Sequence, residues 1–199
     1  FRAHKRILFN GNNYAPEWVE EAEKRGLCNY RSSVDAIGHL TDGKNVELFA
    51  RHGVFTGEEL ASRREIMYEN YAKIVHIEAL TMLDMVRREI LPSVVAYTDR
   101  LVAAALRKRE LGVACAYEAK LSQKLSALTD SISETCERLD EAVIHAQECA
   151  GNEEKARYHR EVIFPAMQEM RAVVDETELL VSADVWPYPS YGEMLFSVM

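Results

Sequence analysis

What the chain lacks narrows its class before any motif is sought. Its four cysteines, Cys28, Cys115, Cys136 and Cys149, form no C-x-x-C pair and fall at no metal-ligand spacing. Cys136 and Cys149 sit among small or apolar positions of helical spacing, where a free thiol behaves as a small hydrophobe. That pattern suits a reducing cytoplasm better than a disulfide framework. No apolar run approaches the roughly 18 residues a membrane span needs, and no signal peptide or lipidation motif is present. Positive charge is scarce: the formal net charge is −8, which argues against nucleic acid and anionic membranes, since phosphate binding needs clustered Lys and Arg. The densest basic groups, Arg87-Arg88 and Arg107-Lys108-Arg109, have Glu or Asp in neighbouring helical turns and read as solvated faces. Low-complexity stretches are missing too, and an apolar content of 48% excludes wholesale disorder. The chain begins at Phe1 without a Met, inside a helical-looking basic run, so a piece of something longer is expected.

Catalytic signatures are equally scarce. No G-x-x-x-x-G-K-[ST] loop, G-x-G-x-x-G, H-E-x-x-H or G-x-S-x-G occurs. A di-iron helical bundle would need Glu-x-x-His pairs, yet His76, His145 and His159 are preceded at three residues by Lys73, Ala142 and Ala156. His76, between Val75 and Ile77, is the histidine most open to burial and reads as a core or interface residue rather than a ligand or base. His145 has Glu141 and Glu148 one turn either way, a surface arrangement. His159, beside Arg157 and Arg160, reads as part of a solvated face, with anion binding as the alternative. Met67, Met82, Met85, Met167 and Met170 are spaced as core fillers. The residues thus nominate no catalytic, cofactor-binding or metal-ligating side chain.

What is present is helix. Residues 56–109 form the most strongly patterned stretch, opening with Thr56-Gly57-Glu58-Glu59, a T-x-x-E capping box. Apolar residues follow at Met67, Tyr71, Ile74, Ile77, Leu80, Leu83, Val86, Ile90, Val94, Tyr97 and Leu101, predicting an inner face on a helix of about 50 residues, some 75 Å long. Pro92 lacks an N–H and would clash with the Arg88 carbonyl, so a kink is expected there. Gly112 ends this element and forces the next helix back antiparallel. Residues 118–150 carry a heptad of Leu121, Leu125, Leu128, Ile132, Thr135/Cys136, Leu139, Ala142/Val143, Ala146 and Cys149/Ala150. Gly151 stops it and Asn152 is expected to cap a third helix, residues 153–183, kinked at Pro165.

Residues 1–55 read as a lobe of short helices. Residues 1–9 suit a helix tail or a short strand. Asn10-Gly11-Asn12-Asn13 stops that run, and Pro16 opens a helix with Trp18, Ala22 and Leu27 inward and Gly26 as its stop. Ser32 or Ser33 caps a helix to about His39, and Asp42 caps another ending at Gly53. Residues 185–199 are aromatic, with Pro187 and Pro189, and are expected to run extended. They should pack back on the bundle and, with residues 1–53, cover the apolar face at 67–77. The expected fold is therefore all-α: an antiparallel bundle of three long helices over 56–184, with an N-terminal lobe at 1–55 and an extended tail at 185–199.

Several phrases also resemble a known family. His4-Lys5-Arg6-Ile7-Leu8-Phe9-Asn10-Gly11-Asn12-Asn13-Tyr14 and Trp18-Val19-Glu20-Glu21-Ala22-Glu23-Lys24-Arg25-Gly26-Leu27 are similar to the region after the catalytic domain of type III glutamine synthetases. Lys44-Asn45-Val46-Glu47-Leu48-Phe49, Ile77-Glu78-Ala79-Leu80-Thr81-Met82, Phe164-Pro165-Ala166-Met167-Gln168-Glu169-Met170 and Trp186-Pro187-Tyr188-Pro189-Ser190-Tyr191-Gly192 match in the same order. The resemblance implies a cytoplasmic ligase that joins ammonia to glutamate using ATP and Mg2+ or Mn2+. The family's catalytic motifs lie upstream of this region, so it transfers no site residue here and implies an inactive C-terminal helical domain. The partners it implies are the catalytic domain of the same chain and neighbouring subunits of a homo-oligomer. A regulatory or partner-binding helical module is the alternative, and an unrelated helical-bundle adaptor the third. A surface exposed near Ile7–Phe9, Tyr14 and Phe196 is expected to drive self-association.

Overall fold

The computed structural model describes residues 2–196, and every described element is helical. The chain divides into two compact units, Phe1–Met67 and Tyr68–Met199.

In the first unit, residues Arg2–Ile7 form a 3-10 helix broken at His4, so of the helix tail and the strand that length allowed the segment is helical. Arg25 secures the residues that follow, donating to the Leu8 carbonyl at 2.6 Å and to Glu21 at 2.6 Å, while the Phe9 ring stacks on Trp18. Helix α1 (Pro16–Lys24) begins at its proline. It ends where Gly26 takes φ +70°, which lets the Leu27 N–H reach back to the Ala22 carbonyl. Ser32 caps α2 (Ser33–Gly38), its hydroxyl accepting from the Asp35 N–H at 3.1 Å. Asp42 precedes α3 (Gly43–Arg51) without capping it; its carboxylate is 2.9 Å from His39 Nδ1 instead.

Helix α4 (Gly57–Met85) starts at the capping box: the Thr56 N–H donates to Glu59 Oε2 at 2.7 Å and the Glu59 N–H returns to Thr56 Oγ1 at 3.2 Å. A π-helical turn, Val86–Ile90, joins it to α5 (Leu91–Glu110). At that turn the Leu91 N–H reaches back five residues to the Val86 carbonyl, and Pro92 follows immediately. After the turn at Gly112 comes α6 (Ala116–His145), which finishes in a 3-10 turn at Ala146–Glu148. Gly151, not Asn152, occupies the cap position of α7 (Asn152–Tyr158). A second π turn, His159–Ile163, leads into α8 (Phe164–Glu178), with the Phe164 N–H bonded to the His159 carbonyl just ahead of Pro165. The third long element therefore ends at Glu178, five residues short of the expected 183.

Within the second unit α6 is central and packs against both α5 and α8. Ion pairs record the chain directions: Arg87–Asp140 and Lys108–Glu118 join opposite ends of α6 to the preceding element, and Lys124–Glu176 and Arg138–Glu169 join it to α8. Because partner numbers fall on one helix as they rise on the other, the neighbours run antiparallel. Leu121, Leu125, Ile132, Leu139 and Val143 of α6 meet Leu83, Val86, Ile90 and Val94 on one side and Ile163, Met167 and Met170 on the other in a continuous core. Such burial, about 25 cal/mol per Å² of apolar surface, is what holds helices together once their propensities are spent.

On α4 the inner face differs from the expected one. Tyr68, Ala72, Val75, Ala79 and Leu83 are buried, whereas Ile74 and Ile77 are 57% and 62% exposed and Met67 and Leu80 are also at the surface. At about 100° per residue, Ile77 lies two positions from both Val75 and Ala79 and so points away from the core. The expected covering of residues 67–77 by the tail and lobe is thus corrected at Ile74 and Ile77.

The tail is extended only in part. Val185, Trp186 and Tyr188 pack against the core, but Tyr191–Phe196 forms a short helix, α9. Ser190 and Glu193 make it possible through a second reciprocal box: the Glu193 N–H donates to Ser190 Oγ and the Ser190 N–H to Glu193 Oε2. Residues 197–199 of the expected tail lie outside the described residues.

Candidate functional site

The second unit holds a pocket of about 470 Å³ between the first turns of its α4 segment and the connection from α6 into α7. Glu69, Lys73 and His76 share one face of α4 by their four- and three-residue spacing, and they face Gln147, Lys155 and His159. Glu69 and Lys73 form an ion pair at 2.5 Å on the open side.

His159 is the buried floor, with 0% of its surface exposed. It is the first residue of the second π turn, and its Nδ1 lies 2.7 Å from the Lys155 carbonyl oxygen one turn earlier. A carbonyl can only accept, so Nδ1 carries the proton and, in the neutral ring, Nε2 carries a lone pair. That Nε2 is buried and has no hydrogen-bond partner among the described residues. The His76 ring stands edge-on to it, centroids 5.9 Å apart. Burial holds the His159 pKa below the ordinary 6.5; the bond to Lys155 opposes the shift, and His76 and the Lys155 ammonium add to it.

Of the expectations for the two histidines, the solvated-face reading of His159 is overturned. His76 is half-buried, and His159, expected on a solvated face, is the fully buried one. Its flanking arginines gave the misleading signal. The useful one was the spacing of Ala156, His159 and Ile163, which places His159 on the core side of its helix. His145 pairs with Glu148 at 3.2 Å on the surface, as its neighbours suggested. Met167 and Met170 fill the core, while Met67 does not. Cys136 is buried, and burial pushes its thiol pKa up. Cys149 lies beyond the end of α6 and its 3-10 turn rather than on a helix. Of the basic groups, Arg87, Arg88 and Lys108 pair with Asp140, Asp84 and Glu118. Among the described residues no three His, Cys, Asp or Glu side chains gather closely enough to hold a metal ion. Among the described residues no helix is long and apolar enough to cross a membrane.

His159 couples folding to acid. Its folded pKa is depressed, so its contribution to stability is complete above about 6.5 and is lost as pH falls toward the lowered value. One such group can add at most about 1.4 kcal/mol per pH unit to the slope. Urea midpoints measured between neutral and mildly acidic pH should fall in the parent and fall less steeply in His159→Gln. Equal slopes would assign the acid sensitivity to other groups.

An all-helical domain with long antiparallel helices in its second unit is the class these features define. The family description "Glutamine synthetase C-terminal domain" matches residues 1–109, and the chain belongs to that family. It is 40% identical over 198 residues to a glutamine synthetase of Butyrivibrio fibrisolvens, covering 98% of this chain and 28% of that protein. A glutamine synthetase of Bacteroides fragilis (strain YCH46) is 30% identical over 201 residues, again with 98% and 28% covered. A type-3 glutamine synthetase of Dictyostelium discoideum is 29% identical over 202 residues, covering 97% of this chain and 27% of that protein. The chain thus spans little more than a quarter of the relatives it matches, and the family membership displaces the reading of an unrelated helical adaptor.

Proposed function

We propose that this chain is the C-terminal structural and assembly domain of a cytoplasmic type III glutamine synthetase, an enzyme that makes glutamine from glutamate, ammonia and ATP. In this reading it packs on the catalytic body of the same chain and between subunits of a homo-oligomer, and it carries out no chemistry alone. The observation that supports it is the second apolar face. Ile74, Ile77 and Leu80 of α4, with Val162 in the second π turn and Phe164 at the start of α8, lie exposed on the second unit. Ile77 and Phe164 line one shallow groove of about 370 Å³. Contiguous exposed apolar side chains of this kind mark contact surfaces. The described residues offer no donor cluster for Mg2+ or Mn2+, so the reading assigns metal and ATP to the rest of the enzyme and routes no step through them here.

The wide turns before Pro92 and Pro165 belong to this reading as the bends that fit the long helices to their partner. Introducing Ile74→Asp with Ile77→Asp into the complete enzyme should give a smaller species by size-exclusion with light scattering. A normal oligomer with altered kinetics would instead favour a regulatory module. The 199-residue chain itself should turn over no ATP with glutamate and ammonia, and measurable turnover would overturn the assignment.

A further inference from the structure

We propose that residues 184–188 form a detachable brace across the bend at Pro92, which holds the Val86–Ile90 turn while seated and frees α4 and α5 to hinge there once released. The bend is the weak point of the long element. Pro92 has no N–H to give the Arg88 carbonyl, and the Leu91 N–H reaches back five residues to Val86 rather than four. Interruptions of this kind are where long helices bend. On its inner side the turn is anchored, with Val86 and Ile90 buried and Arg87 paired with Asp140 at 2.6 Å. On its outer side Arg88 and Glu89 are exposed.

The brace crosses that outer side. Asp184 lies 3.6 Å from Arg100 on α5, and Tyr188 lies beside Glu89 in the turn. As the segment advances from 184 to 188 its helical neighbours fall from 100 to 89, so it runs antiparallel to α5 and passes Pro92 on the way. The lengths agree, since eleven helical residues rise roughly 16 Å and four extended residues reach roughly 13 Å before their side chains are added. Val185, Trp186 and Tyr188 are half-buried and pack against the core, the two aromatic rings supplying most of the apolar area.

Side chains alone attach this segment to the bundle. Pro187 and Pro189 have no N–H, and among the described residues no backbone hydrogen bond joins 187–189 to the helices. The Asp184–Arg100 pair is exposed on both sides and adds little. Burial and the Glu89 carboxylate push the Tyr188 hydroxyl pKa up to about 12, yet no well-formed hydrogen bond joins the two. A segment held by a few packed side chains and no ladder opens more cheaply than the core beneath it. The inference does not depend on the assembly reading above.

Native-state amide hydrogen exchange of the 199-residue chain, followed by NMR across low urea concentrations, tests the brace. In the parent the Trp186 and Leu91 amides should share one opening free energy and one urea slope. Both values should be smaller than those of Leu125, Ile132 and Leu139 on α6, which open only with the whole unit. Trp186→Ala should then speed exchange at Leu91 roughly tenfold or more beyond any change at the α6 amides. Should Trp186→Ala fail to fold, the milder Val185→Ala carries the same comparison. A Leu91 amide that exchanges with the α6 group in the parent, or that changes no more than that group in the variant, overturns the proposal.

Discussion

Leu83→Asp is expected to destroy the cooperative thermal transition of the second unit or lower it by about 10 °C or more, while Ile77→Asp leaves it within the scatter of a neutral surface change. The two positions lie six residues apart on α4 and both are large aliphatic residues in the sequence. Leu83 is 3% exposed and belongs to the continuous core with Val86 and Ile90. A carboxylate placed there is taken out of water among apolar side chains, and a buried charge without a full set of partners costs several kcal/mol, about 4 or more. Total stabilities of domains run to about 5–15 kcal/mol, so the loss is a large fraction. Ile77, at 62% exposure, gives its carboxylate to water. Calorimetry of the two variants decides the matter, and comparable losses at both positions would put the apolar face of α4 on the line through Ile74, Ile77 and Leu80 expected from the sequence.

Leu139→Ala should cost about 2–5 kcal/mol, read as a lower urea midpoint at unchanged slope. Leu139 is fully buried on α6, the helix with neighbours on two sides. A helix held on both flanks collapses poorly onto a void, which places the cost toward the upper half of that range. The neighbouring core positions Cys136, Ala142 and Val143 are already small and cannot fill the space by changing rotamer. Leu179→Ala, on a residue 85% exposed, provides the control and should change little. If Leu139→Ala were as mild as Leu179→Ala, α6 would not be the centre of the core.

How much of this was legible in advance depended on the kind of signal. The α6 core was readable because its apolar residues alternate by three and four, which keeps them on one line of a helix. The capping box at Thr56 was readable because two residue types at fixed spacing suffice. The identical device at Ser190 and Glu193 was hidden by the prolines and aromatics before it. The α4 face was misjudged for a geometric reason. From Tyr71 to Val86 the chosen residues step by three five times, and each step falls about 60° short of a full turn. That sequence of positions walks around the cylinder across its outer side and is not a stripe. The steps of four and three through Tyr68, Ala72, Val75, Ala79 and Leu83 are the true line, obscured because two of its members are alanine. The pocket was not legible at all, since it depends on which of three histidines is buried and on one ring nitrogen left without a partner.

The two π turns bear on descent as well as on shape. A π turn holds one residue more than an α turn, so each of Val86–Ile90 and His159–Ile163 acts as a one-residue insertion absorbed in place. Both stand the same distance ahead of a proline, Pro92 and Pro165. A codon gained or lost elsewhere along these helices would change the phase of everything beyond it by about 100°, whereas loss of the extra residue here returns the π turn to an α turn and keeps the buried face inward. At these turns a lineage can gain or lose one residue without re-phasing the helix beyond, so chains of slightly different length should slip against one another there when aligned.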